Sequence, residues 1–123
     1  MSKMYIAVLD EFPDHMVPTL VAHSVLAAHM SFIKVHTDLA RIVDDGPYQY
    51  PQYIDWLENS FKKCVVRVNQ KEFDKIAALP VVHIGHEKKT LDGRDSCVVV
   101  CPYAEGKELP NVLKFAQLWK PKQ

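Results

Sequence analysis

Glycine is scarce in this chain: there are four in 123 residues, at positions 46, 85, 93 and 106. None stands in G-x-G-x-x-G or Walker spacing, so the glycine-built phosphate loops of nucleotide-binding proteins are excluded. Cysteine is also sparse and odd in number, with Cys64, Cys97 and Cys101. No Cys-x₂-Cys and no His-x₃-His pair occurs, which removes the usual zinc-ligand spacings. Charge of one sign is not in excess: 15 basic residues balance 15 acidic ones. Without a global cationic field, strong non-specific nucleic-acid binding is not expected, and any phosphate contact must come from a local patch. No run approaches the ~18 uninterrupted apolar residues of a membrane span. The opening Met1-Ser2-Lys3 leads straight into a strand-like run, with no charged, apolar and cleavage regions in series. An odd cysteine count with no such leader predicts a reducing, cytoplasmic setting and no membrane partner.

What is present is the pattern of one α/β domain spanning 1–123. The hydrophobic fraction of 48% and charged fraction of 24% are ordinary for a globular protein. Met4 to Leu9 reads as a buried strand. Residues Asp10 to Asp14 then form a loop. Pro18 suits a first helical turn. Leu20, Val21, Ser24, Ala28 and Phe32 mark one stripe of a helix over 17–33. A second helical stretch over 38–43 ends at Asp44-Asp45-Gly46-Pro47, and a third covers 51–61. Lys63 to Val68 is the second strand. Asn69 and Glu72 have capping-box spacing and open a helix that stops before Pro80. Val81 to Gly85 is the third strand, Asp92-Gly93 a turn, and Ser96 to Cys101 the fourth strand. The last helix is expected from about Leu109 to Trp119. Near-continuous apolar strands imply a sheet covered on both sides. The predicted fold is a three-layer α/β sandwich: a four-stranded, mostly parallel (mixed) sheet with helices on both faces.

The order of elements and several local sequences resemble the type 2 peptidyl-tRNA hydrolases. The family's strand, loop and long helix correspond to Lys3–His29, with Ala22-His23-Ser24-Val25-Leu26-Ala27-Ala28 over its Ala-Gln-Cys-x-His-Ala segment. Lys63-Cys64-Val65-Val66-Arg67-Val68 fits the family's second strand. Asp92 to Pro102, then Leu113-Lys114-Phe115 to Leu118, follow its closing loop, strand and helix. The resemblance implies hydrolysis of the ester linking a peptide to tRNA. The family's catalytic Lys and Asp are not matched: Thr19 (or Pro18, one residue earlier in register) stands where the Lys would be, His23 where the helix Gln would be, and Ile84-Gly85-His86 where Asp-Ala-Gly would be. The hydroxyl that opens the last strand is kept as Ser96.

Ester hydrolysis needs a base, a positioned water and donors for the oxyanion. His23 is the candidate base, because an imidazole titrates near pH ~6.5. Thr19 lies one turn earlier on the same side. His86 and Ser96 complete the catalytic set. The alternative is that His23 is an ordinary helix residue bonded to water or backbone. Lys63, Lys88, Lys89 and Arg94 are the candidate phosphate and tRNA contacts; they are equally what a solvated loop carries. Cys97 and Cys101 share a strand face ~13 Å apart, too far for a disulfide, and suit a buried strand. A Cys–His nucleophile pair would need one cysteine exposed and acidified. His83 and His86 point to opposite faces of a strand, so no metal and no cofactor is expected. The aromatic group Tyr48, Tyr50, Tyr53 and Trp56 either caps the core or forms an interface. The partners expected are tRNA or a small acyl ester. The alternative is a non-catalytic binding or homodimeric protein on the same fold. The decisive geometric expectation is that the first helix begins beside the end of the third strand.

Overall fold

A computed structural model describes residues 2–39, 50–87, 91–103 and 106–122. The first strand, β1, runs Lys3–Leu9, and a 3-10 turn at Asp14–Met16 leads into helix α1, Val17–Leu39. The helix expected over 17–33 continues to Leu39, and 40–43 of the second expected stretch, with its Asp44-Asp45-Gly46-Pro47 stop, lie outside the described residues. Leu20, Ala28 and Phe32 are buried along the predicted stripe, with Ser24 between them. By length and composition, Asp14–Ile33 would also cross a bilayer, with mean hydropathy 1.5. Only 28% of that apolar stretch is buried: Leu20, Ala28 and Phe32 face the core, and Leu26 and Met30 stand exposed.

Helix α2, Tyr50–Asp55, passes into a π segment at Trp56–Ser60. Phe61 ends it in the left-handed region, φ 52°, where its N–H reaches the Trp56 carbonyl at 2.7 Å. Strand β2 is Lys62–Val68 and helix α3 is Gln70–Ala77. The capping box forms as its spacing predicts: Asn69 Oδ1 accepts from the Glu72 N–H and Glu72 Oε1 from the Asn69 N–H, both at 2.9 Å. Strands β3, Val82–Glu87, and β4, Arg94–Val100, follow. Asp92 and Gly93, at φ 51° and 80°, turn the chain between them. The end of the chain departs from expectation. Instead of one helix there is a four-residue α4, Asn111–Lys114, and a two-residue strand β5, Gln117–Leu118. Pro110 and the early return of the chain to the β2 edge leave room for only one helical turn.

The sheet therefore has five strands, in the order β3-β4-β1-β2-β5. It is mixed: β1 and β2 are parallel, whereas β1–β4, β2–β5 and β3–β4 are antiparallel. The expected parallel majority fails among neighbouring pairs: β4 lies between β3 and β1 and runs antiparallel to both, and β5 returns antiparallel to β2. Residues Ile6 to Leu9 of β1 and Ser96 to Val100 of β4 are all buried. Successive strand residues face opposite ways, so both sides of the central strands are covered. Phe73 and Ile76 of α3 complete this core.

The register between β3 and β4 contains a bulge. Gly85 pairs with Cys97 and His86 with Asp95, leaving Ser96 as the extra residue. Gly85 lies directly under α1. A side chain there would place its Cβ 2.2 Å from Ser24 Oγ, so only glycine admits the helix this close.

Candidate functional site

The helix begins beside the end of the third strand, as the decisive expectation required. His23 Nδ1 on α1 lies 3.3 Å from Glu87 Oε1 and 3.4 Å from Oε2. Glu87 is the last residue of β3 and was not singled out from the sequence. The strand extends two residues beyond Gly85, and alternation then puts Gly85 and Glu87 on the same, helix-facing side. That period-two spacing from a glycine under a helix was the available signal. The Glu87 side chain is only 8% exposed, whereas His23 is 61% exposed.

Glu87 forms one wall of a cleft of about 240 Å³, lined further by His15, Met16, Thr19 and Leu20. Thr19 lines this cleft directly, and His23, one turn further along α1, meets it through its contact with Glu87. It opens where β1 and β3 end, in the position that suits a ligand in α/β sheets.

His86 does not join them. It points to the opposite side of β3 from Gly85 and Glu87, and its Nδ1 pairs with Asp95 Oδ1 at 2.7 Å. The expected convergence of His23 and His86 is replaced by convergence of His23 and Glu87. Ser96 sits deeper, fully buried, with its hydroxyl donating to the Gly85 carbonyl at 3.3 Å. It is not among the residues that line the cleft. Beside it lies Cys97, whose thiol is pushed up by burial, with the neighbouring Ser24 and Ser96 hydroxyls opposing. A buried thiol held in its neutral form lacks the acidification a Cys–His nucleophile needs. Cys101 is likewise buried and its thiol is raised by desolvation. Burial, reinforced by His86, holds the His83 imidazole below its ordinary value.

The basic candidates separate. Arg94 opens β4 directly across from Glu87, yet its guanidinium turns to the Glu11 carboxylate and lies over the Phe12 ring, 5.3 Å from the centroid. Lys63 is at the other end of the sheet. It is four residues before Arg67, whose β1 partner Val8 is level with Cys97 and Gly85, about 13 Å along the strand direction. There it donates to the Phe61 carbonyl at 2.7 Å and covers the Phe61 ring. The structure does not bring Lys63 to Arg94. Lys88 and Lys89 lie outside the described residues.

Of the aromatic group, Tyr53 and Trp56 are buried in the core. The Tyr53 hydroxyl and His29 Nδ1 share a hydrogen bond of 2.8 Å, and burial pushes the Tyr53 pKa up to about 12. Tyr48 and the Tyr50 side chain lie outside the described residues. Among the described residues no three His, Cys, Asp or Glu side chains gather as metal ligands do. His23 and Glu87 offer two.

No protein-family model matches the sequence, and no curated protein sequence matches it.

Proposed function

We propose that this chain is a divergent peptidyl-tRNA hydrolase-like domain, a three-layer sandwich with α1 and α3 on opposite faces of the sheet, that hydrolyses an acyl ester carried by tRNA. The observation that carries the reading is the contact of His23 Nδ1 with a buried carboxylate, Glu87, beside a cleft that Thr19 also lines. A carboxylate on one ring nitrogen fixes the tautomer and leaves the other, Nε2, free as a base. In this scheme the Nδ1–H donates to Glu87, and His23 Nε2 takes a proton from water as the water oxygen attacks the ester carbonyl carbon. The bond from that carbon to the ribose oxygen then breaks, and the imidazolium returns the proton to the leaving oxygen. The Thr19 hydroxyl supplies a donor to the oxyanion. Arg94, beside the cleft, is the phosphate contact and exchanges Glu11 for the nucleic acid. The odd number of cysteines, three, fits a reducing cytoplasm.

The test is release of labelled acyl groups from aminoacyl-tRNA and peptidyl-tRNA by the purified chain. Removing a general base costs roughly 10²–10⁴-fold, so His23→Ala is expected to lose at least a hundredfold in rate. No release from either substrate, or an unchanged rate in His23→Ala, ends the proposal.

A second reading has its own observation. Leu26 and Met30 project from α1 at 68% and 69% exposure, on the face that also bears Ala22 and Ala27. This supports a non-catalytic homodimer joined through α1. Light scattering on the wild type and on Leu26→Lys separates the two: a monomer in both cases removes the dimer.

A further inference from the structure

A buried carboxylate normally has a close cationic partner or several short hydrogen bonds, because the desolvation cost is otherwise uncompensated. Glu87 has neither. Among the described residues its side-chain partner is His23, and both contacts, 3.3 and 3.4 Å, are longer than the ~2.7–2.9 Å of a charge-assisted bond. The guanidinium best placed to neutralise it, Arg94 across the strand pair, is engaged by Glu11 and Phe12. Glu87 is one of the residues that line the cleft.

We propose that Glu87 is the counter-ion for a free ammonium group on the ligand, so that this cleft takes an aminoacyl group with an unblocked amine. This rests on the acyl-ester reading above and names the substrate class of that same site. Three features of the cleft agree. Its volume of about 240 Å³ is below the ~300–1,000 Å³ of sites for larger ligands, which suits a single residue. Met16 and Leu20 give aliphatic walls for a small side chain. The nitrogen and carbonyl carbon of an amino acid lie about 2.5 Å apart across one Cα. The two imidazole nitrogens are separated by a similar span. An ammonium on Glu87, next to Nδ1, therefore sets the carbonyl next to Nε2, where the water would be activated. An N-acylated group brings no charge to the carboxylate and leaves it buried and under-satisfied.

The test is NMR titration of the intact chain with L-alaninamide, N-acetyl-L-alaninamide and L-lactamide, none of which carries an ester. Alaninamide is expected to bind roughly tenfold or more tightly than either neutral compound, since charge-assisted bonds are about twice as strong as neutral ones. It should move the signals of Thr19, His23 and Glu87. Glu87→Gln is expected to bring that ratio to near one. If Glu87→Gln does not fold, Glu87→Asp, which keeps the charge, should keep the preference. Equal binding of alaninamide and the neutral compounds, a preference that survives in Glu87→Gln, or no binding of alaninamide overturns the proposal. Ammonium binding without cleavage of alanyl-tRNA would retain the ammonium site and remove only the hydrolase reading. Cleavage of N-acetylalanyl-tRNA with no amine preference would do the reverse.

Discussion

Replacing Gly85 by alanine tests the feature that sets the distance between α1 and β3. The added methyl would lie 2.2 Å from Ser24 Oγ, 3.1 Å from Ser24 Cβ and 3.3 Å from Ser96 Oγ. The first contact is sterically forbidden and the other two are tight, so helix or strand must move. Overpacking of this kind costs about 1–3 kcal/mol. The reduced freedom of the unfolded chain returns about 0.4–1 kcal/mol. The expected net loss is therefore about 1–2 kcal/mol, or roughly 3–10 °C in Tm for a chain of this length. Ser24→Ala alone should change stability by less than about 1 kcal/mol, because the hydroxyl it removes is buried with no oxygen or nitrogen partner and has only the weak Cys97 thiol beside it. In the Ser24→Ala background, Gly85→Ala should cost at least about 1 kcal/mol less than in the wild type, since the two side chains share one space. Urea unfolding of the four proteins, followed by Trp fluorescence, gives the cycle. An equal cost in both backgrounds, or a neutral Gly85→Ala, would show that the helix is not held at this height by the missing side chain.

Three other outcomes are expected. Asn69→Ala removes half of the capping box on α3 and should lower stability by about 1 kcal/mol, read from the urea midpoint at constant slope. Native-state thiol labelling at neutral pH should modify Cys64 first and slowly, because burial raises its thiol, and leave Cys97 and Cys101 unmodified until the chain unfolds. The Lys122 N–H, with Arg67 second, holds the Asp14 carboxyl below its ordinary value. A depressed folded-state pKa gives stabilisation that is present above the unfolded value and lost as pH falls through the folded one. Hydrogen-exchange protection of the tail around 117–122 should therefore persist down through the usual carboxylate range and fail only below it, whereas Asp14→Asn should lack that acid transition.

Elements fixed by local spacing were legible in the sequence, and elements fixed by distant pairing were not. The Asn69–Glu72 box depends on four consecutive residues and could be read directly. The buried stripe of α1 could be read for the same reason, since Leu20, Ser24, Ala28 and Phe32 repeat at helical intervals. Strand β5 has two residues, and only its bonds to Val66 and Arg67 make it a strand; nothing in Gln117-Leu118 itself announces them. Thr19 and His23 were found because helix periodicity places them together. Glu87 lies beyond a strand read as ending at Gly85, and that reading offers His86 in its place. The error was one of phase: on a strand, the residue next to the right one faces the wrong way.

The brevity of β5 has a consequence for solubility. Beyond Val66 and Arg67 the outer border of β2 has no strand beside it among the described residues, and an open border of this kind invites other chains to add on. Lys62 and Lys63 occupy the uncovered part. Any copy docking there in parallel register would stack ammonium groups on ammonium groups, so the same two residues that contribute nothing to the cleft discourage fibre-like growth from that side.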